Sequence, residues 1–338
     1  MTVGRPSISI LMPVRDAVAT LDDALRSIIG QSLDSWELLV IDDGSTDGSL
    51  AVLELHASGD PRIRVLTQSR AGIVPALERG RSESQAPLLA RMDADDRAHP
   101  QRLEAQVSFL TAHPECALCG THVRYFPRTT VRAGAQRYED WLNSLHTAQD
   151  LERDLWIECP LAHPSIAMRG NALDQVGGYR DQGWPEDYDL ILRFWSAGLE
   201  LGVVPRVLHY WREGLNRLSR TDPRYGPDAF REVKLHFLSE TLLKGRDGLV
   251  IWGAGPVGKA FAQAALRRGV PVRAFVDLDP RKIGQEIHGA PVLPPSQGVL
   301  LRESLGVSAV GKTGVREEIR SALRRYGWTE GRDFVAVA

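Results

Sequence analysis

The first 120 residues alternate short apolar runs with stretches of helical periodicity. That alternation is the signature of βαβ units, in which each strand passes through a crossover helix to a parallel neighbour. An α/β fold with a mainly parallel central sheet is expected. Its strands are read at Ile8–Met12, Trp36–Ile41, Ile63–Leu66, Leu88–Met92 and Ala117–Gly120. In the first helix Leu21, Ala24, Leu25, Ile28 and Ile29 share one face, and Thr20 with Asp23 reads as an N-terminal cap resembling a capping box. Another helix is expected after Pro100, where Leu103, Val107 and Leu110 fall at helical spacing. From His122 to Glu158 the pattern fades, with one amphipathic helix expected around Tyr138–Leu145.

A second βαβ pattern begins at Leu249, after the polar stretch Lys244–Gly248, which reads as a linker. The 338 residues therefore divide into an expected domain at 1–245, closing on a helical linker, and a smaller one at 246–338. Lys plus Arg (41) nearly balance Asp plus Glu (43), so no basic surface for nucleic acid is indicated and small-molecule partners are favoured. Cys116, Cys119 and Cys159 cannot all pair, and Cys116-x-x-Cys119 lacks the second pair of a zinc site. Free buried thiols in a reducing cytoplasm are expected. The start MTVGRPS is too polar and the apolar run after it too short for a signal peptide. The stretch Leu249–Leu266, with three glycines and Lys259, is a poor membrane span, so no integral membrane segment is expected.

Two acidic clusters stand at the ends of apolar runs. Val40-Ile-Asp-Asp-Gly-Ser-Thr-Asp47 closes the second expected strand, and Ala90-Arg-Met-Asp-Ala-Asp-Asp96 the fourth. In a parallel sheet, ligands bind beyond the carboxyl ends of the strands, which is where Asp42, Asp43, Asp93 and Asp95 would lie. Asp93 and Asp95, two apart, offer the hard oxygen ligands that Mg²⁺ or Mn²⁺ prefers when it also holds phosphates. Either cluster alone also suits a solvated turn that shapes the next helix.

Together with Ile10-Leu-Met-Pro-Val14, Ser27-Ile-Ile-Gly-Gln-Ser32, His163-Pro-Ser165, Gly177-Gly-Tyr179 and Pro185-Glu-Asp-Tyr-Asp-Leu190, these clusters occur in one order over most of residues 7 to 220. In that order they resemble the family 2 inverting glycosyltransferases of the GT-A fold. The resemblance implies polysaccharide-building chemistry with a nucleotide-sugar donor, a saccharide, lipid-linked or protein acceptor, and Mn²⁺ or Mg²⁺. It implies that Pro13, Asp42 and Asp43 line the nucleotide pocket with Arg91, and that Asp93 and Asp95 engage ribose and the metal diphosphate. It makes Asp187 the base and Glu186 its neighbour and reserve, although the pair also suits an acidic first turn on its own helix. Direct displacement needs a held leaving group and a carboxylate to take the acceptor proton, and no covalent nucleophile.

The sequence departs from the family in two ways. Aligning Trp211–Ser219 places Gly214 where many relatives carry a metal-binding His, with His209 a substitute to be weighed against a packed His. The Gln-x-x-Arg-Trp motif of processive synthases is missing, which favours single additions.

In the second domain Leu249-Val-Ile-Trp-Gly-Ala-Gly-Pro-Val-Gly258 sets Gly253, Gly255 and Gly258 between a strand and a helix. Asp277 follows 277 − 258 = 19 residues on. This spacing fits a Rossmann-like nucleotide site, against the alternative of a glycine turn kept for packing. Two rival functions remain at this level: an NAD(P)-dependent oxidoreductase using residues 246–338, and a sugar-nucleotide sensor without turnover.

Overall fold

The computed structural model describes residues 5–214, 217–312 and 314–338. Residues 1–4 of the N-terminal segment, and Leu215 and Asn216 of the Trp211–Ser219 segment, lie outside the described residues. The chain forms two compact units, one of residues up to 151, 160–182 and 189–217, the other of residues 152–159, 183–188 and 218–338.

The first unit is built in chain order from β1 (Ile8–Val14), α1 (Val18–Ile29), β2 (Trp36–Asp43), α2 (Ser49–Gly59), β3 (Ile63–Gln68), α3 (Ile73–Glu83), β4 (Leu88–Arg91), β5 (Arg97–Ala98) and α4 (Arg102–Ala112). There follow β6 (Cys116–Phe126), α5 (Ala133–Leu142), α6 (Ala148–Asp154), β7 (Ala167–Arg169), α7 (Gly170–Gln175), α8 (Glu186–Ser196) and β8 (Glu200–Arg212); the end of α6 from Glu152 and the start of α8 through Tyr188 belong to the second unit. The strand order is β3-β2-β1-β4-β7-β6-β8-β5. β3, β2, β1 and β4 run parallel, β7 is antiparallel to both its neighbours, and β6 and β8 are parallel.

The apolar runs of β1 and β2 are continuous because helices cover both faces of the sheet. Ile10, Met12, Leu38 and Val40 share a core with Leu21, Leu25 and Ile28 of α1. On the other face α3 approaches so closely that a Cβ on Gly80 would lie 2.7 Å from Ile41 and 3.1 Å from Leu11.

All five expected strands are present. The fifth is longer than the apolar run Ala117–Gly120, because pairing with β8 carries it through the polar His122 and Arg124. The helix expected at Tyr138–Leu145 runs earlier, over Ala133–Leu142. The cap expected from Thr20 and Asp23 does not form. α1 starts at Val18 without a cap from its own side chains; the Ala17 N–H donates to Ser49 Oγ at 2.9 Å and the Val18 N–H to Asp47 at 3.1 Å. Acceptors from the loop after β2 thus satisfy the free amides that a local cap would take. Thr20 instead donates to Ala17 and Ala94 carbonyls, and Asp23 pairs with Arg97.

The second unit continues with α9 (Leu218–Thr221), α10 (Pro227–Glu240), β9 (Leu249–Trp252), α11 (Pro256–Arg267), β10 (Val272–Val276), β11 (Glu286–Ile287), β12 (Ala290–Leu293), α12 (Pro295–Gly298), β13 (Leu305–Ser308), α13 (Val315–Arg325) and β14 (Phe334–Ala336). Its sheet has the order β11-β12-β10-β9-β13-β14, parallel except for β11. Val250, Trp252, Val276, Leu323, Trp328 and Phe334 form its core, and α10 packs on α11. The three cysteines are free and buried. Among the described residues no helix is long and apolar enough to cross a membrane.

Candidate active site

In the first unit the chain adds β2 and β3 on one side of β1 and β4 on the other, so the crevice at their carboxyl ends is a topological switch point. Pro13 lies in register with Ile41 and Val14 with Asp42, which sets the end of β1 between the two acidic strand ends. Asp43 is buried and fully engaged: one oxygen accepts from Gln68 Nε2 and the Ala71 N–H, the other from the Gly72 N–H, each at 2.8 Å. It holds the loop entering α3. Asp42 accepts the Ser45 N–H at 3.3 Å through Oδ2, while its buried Oδ1 has no hydrogen-bond partner among the described residues. A buried carboxylate oxygen without a donor is costly, and a ligand N–H or O–H would relieve it.

Across β1, the ligand oxygens of Asp93, Asp95 and Asp96 lie within 4.8 Å of one another. Arg91, buried at 2% exposure, pairs with Asp93 at 2.6 Å. Burial would raise the Asp93 carboxyl, but Arg91, His163 and Arg217 hold it below its usual range. Asp95 is pushed up to about 7, by burial first and then by Asp96 and Asp93, with Arg217 opposing the rise. Asp96 is raised well above the usual range by burial and by Asp93. Three converging carboxylates that resist ionising together could hold a hard divalent cation.

His209, the substitute weighed for the missing metal-binding His, has both ring nitrogens engaged by protein groups. It is fully buried, with Nε2 2.8 Å from Asp96 and Nδ1 3.1 Å from Arg102. A guanidinium only donates, so Nδ1 accepts and the proton sits on Nε2, directed at Asp96. Burial and the Arg102 charge keep this imidazole neutral. The spacing from Trp211 could not reveal this, because the partners lie on α4 and after β4. Gly214 is half-buried, with the Arg217 side chain 4.0 Å from a Cβ placed there.

Asp96, His163 and Arg217 are contributors that the sequence reading did not single out. The first closes the Ala90–Asp96 segment; the second faces Asp93 electrostatically from the His163-Pro-Ser165 turn. The Gly177-Gly-Tyr179 motif has a structural account. Glu78 accepts the Tyr179 N–H at 2.6 Å, and Arg193, paired with Asp189 at 2.7 Å, donates to the Val176 and Gly178 carbonyls.

In the second unit Glu186 and Asp187 open α8. Glu186 is buried and accepts from the Tyr225 hydroxyl at 2.5 Å. Asp187 accepts the Tyr188 N–H at 2.7 Å. Burial, then the charges of Glu186 and Glu158, push its carboxyl up to about 8. A helix N-terminus would lower it, so desolvation and like charges win.

At the glycine turn of the same unit, Gly253 has φ +115 and a Cβ on Gly258 would fall 1.9 Å from its carbonyl. Nothing lies within 4 Å of a Cβ on Gly255. Asp277, the residue after β10, accepts the Ala254 N–H at 3.0 Å, Lys282 at 2.8 Å and the Asp279 N–H at 2.9 Å. Its carboxylate fastens the turn.

A family model described as Glycosyl transferase family 2 matches residues 9–177. The chain is 30% identical over 273 residues to EpsE of Bacillus subtilis strain 168, named as a glycosyltransferase, across 77% of this chain and 91% of that one. The fold is similar to the crystal structure of S. aureus TarS 1–349 in complex with UDP-GlcNAc, at TM-score 0.57 and 15% identity, over 78% of this chain and 72% of that one. It is also similar to the mannosyltransferase PcManGT from Pyrobaculum calidifontis in complex with GDP-Man and Mn²⁺, at TM-score 0.51 and 17% identity, over 97% and 82% of the two chains. With acidic strand ends at the switch point of a mainly parallel sheet, the chain is a glycosyltransferase of the GT-A fold and belongs to glycosyl transferase family 2.

Proposed function

We propose that this enzyme moves a sugar from a nucleoside-diphosphate sugar to an acceptor hydroxyl, with inversion and one residue per encounter, in the presence of Mn²⁺ or Mg²⁺. The observation that carries this reading is the Asp93, Asp95 and Asp96 cluster, whose oxygens lie within 4.8 Å of one another. Such a set fits a cation that prefers six oxygen ligands and shares them with phosphates. Asp93 and Asp95 would hold it, and when bound it would neutralise charge on the departing diphosphate. The Mn²⁺ and GDP-Man in the PcManGT complex, and the UDP-GlcNAc in the TarS complex, support the same ligand classes here.

The protein's own groups do the rest. Asp42 offers a buried oxygen to the nucleoside, beside Pro13 and Asp43, which shapes that wall. Arg91 orients Asp93 from behind. Asp187, matched to the family's acidic motif and strongly proton-seeking, takes the acceptor proton, with Glu186 as its hydrogen-bonded neighbour. Holding donor and acceptor together supplies much of the remaining acceleration.

The acceptor is a saccharide, lipid-linked or protein hydroxyl in polysaccharide biosynthesis. Residues 1–245 form the transferase domain, and residues 246–338 a Rossmann-like domain whose Gly253, Gly255, Gly258 and Asp277 frame a second nucleotide site. Free thiols at all three cysteines suit a cytoplasmic enzyme. The test is release of nucleoside diphosphate from UDP-GlcNAc and GDP-mannose with Mn²⁺ and a panel of acceptors, followed by NMR of the product's anomeric configuration. Metal-dependent release with an inverted product supports the reading. A retained configuration, or a nicotinamide absorbance change in place of transfer, would refute it.

A further inference from the structure

The second unit buries a lysine that takes no direct part in the proposed proton transfer. Lys234, on α10, is 6% exposed. Its ammonium donates to the Ile157 carbonyl at 2.7 Å and to the Val337 carbonyl at 3.1 Å. The first acceptor immediately precedes Glu158; the second follows β14, at the edge of the C-terminal sheet. Burying an ammonium against two neutral carbonyls is expensive, and the amine is lowered to about 8 by burial, with Glu158 opposing that fall and Arg231 and Arg316 adding to it.

The segment carrying Glu158 is fastened at further points within this unit. Asp154 pairs with Arg320 of α13 at 2.6 Å. The Tyr188 hydroxyl, one residue beyond Asp187, donates to the Leu155 carbonyl at 2.6 Å, and its ring lies 5.7 Å from Phe230 of α10. The charged and titratable groups acting on Asp187 come from three places: Glu186 on α8 itself, Glu158 on this segment, and Tyr225, whose hydroxyl donates to Glu186.

We propose that Lys234 is a positioning residue for the transfer reaction: its ammonium bridges Ile157 and Val337 and holds the Glu158 carboxylate against the start of α8, so that the C-terminal sheet tunes the base Asp187. This rests on the assignment of Asp187 as the base. Burial pushes the Glu158 carboxyl up, and the Lys234 charge opposes it. An ionised Glu158 in turn raises the proton demand of Asp187. Without Lys234, a proton entering this cluster goes to Glu158, and Asp187 becomes the weaker base.

The test is the carboxyl carbon resonance of Asp187, followed against pH by NMR in the full chain and identified by its loss in Asp187→Asn. The wild type should titrate near about 8, where burial and the neighbouring carboxylates place it. Lys234→Met and Glu158→Gln should each move the midpoint to a proton concentration about tenfold higher, the scale of one nearby charge. The double variant should go no further than Glu158→Gln alone, and Lys234→Arg should stay near wild type. A midpoint unmoved in Lys234→Met, or moved by Lys234→Met equally in the Glu158→Gln background, overturns the proposal. If Lys234→Met does not fold, Glu158→Gln decides: an unmoved midpoint there overturns it as well. Turnover of Asp187→Asn is a separate arm. Its survival would sink the assignment of the base, whereas the coupling of Lys234, Glu158 and Asp187 is read from the resonance alone.

Discussion

At the residue scale each unit sets its carboxylates apart by their surroundings. Asp93 is held ionised by Arg91, whereas Asp95 and Asp187 are pushed up to about 7 and about 8. A base works unprotonated, so transfer should rise about tenfold per pH unit below the Asp187 midpoint and level off above it. Asp187→Asn should abolish that limb and lower kcat about a hundredfold or more while leaving nucleotide binding nearly unchanged, as expected of a group acting mainly in the transition state. Rate profiles against pH, paired with calorimetry, check both halves. His209 gives a second residue-level prediction. Its removal as His209→Leu leaves Arg102 and Asp96 without their shared partner, and should cost about 2 kcal/mol of stability in denaturant unfolding, because a buried hydrogen bond to a charged group is lost.

Among the elements, the glycine turn before α11 separates packing from binding. Gly258→Ala drives a Cβ into the Gly253 carbonyl and should destabilise the second unit by about 3 kcal/mol or more. Gly255→Ala meets nothing within 4 Å. It should leave melting unchanged and weaken binding of NADH or a nucleoside diphosphate at that turn; equal binding by wild type and variant would leave the turn a packing device.

The same contrast explains what was legible in the sequence. β1, β2 and β4 were readable because each is a buried run bounded by turn residues, β3 from the apolar Ile63, Val65 and Leu66 of a half-buried strand, and the acidic strand ends followed from their positions. β8 was not legible. Its burial is mixed, with Pro205 and Arg206 exposed, and its pairing with β6 slips at that place, between Val204 and Val207. Its strand character comes from partners distant in the chain. The cap of α1 was misread for a similar reason, since Asp47 and Ser49 supply it from beyond β2. The role of His209 depends on Arg102 and Asp96, which only the folded chain brings to it.

On the scale of the whole molecule, the segment 152–159 and the start of α8 belong to the unit that contains the C-terminal sheet. Arg320, 2% exposed, pairs with Asp154 and Glu330, and Lys234 reaches Val337. Ending the chain at residue 245 would strip Asp154 and Lys234 of these partners. Asp154 keeps Arg153 at 2.9 Å, so a truncated chain should lose about 2 kcal/mol or more of stability, the scale of losing hydrogen bonds to charged groups. Unfolding curves of the two lengths test this. The central claim, a metal-bridged nucleotide site at Asp93 and Asp95, is tested most directly by calorimetry of the full chain with UDP and with GDP, each with Mn²⁺ and with chelator. The account predicts at least about tenfold tighter binding of one nucleotide with Mn²⁺, a gain lost in Asp95→Asn, since a ligand shared between cation and phosphates couples the two affinities. Equal affinity with metal and with chelator would contradict it.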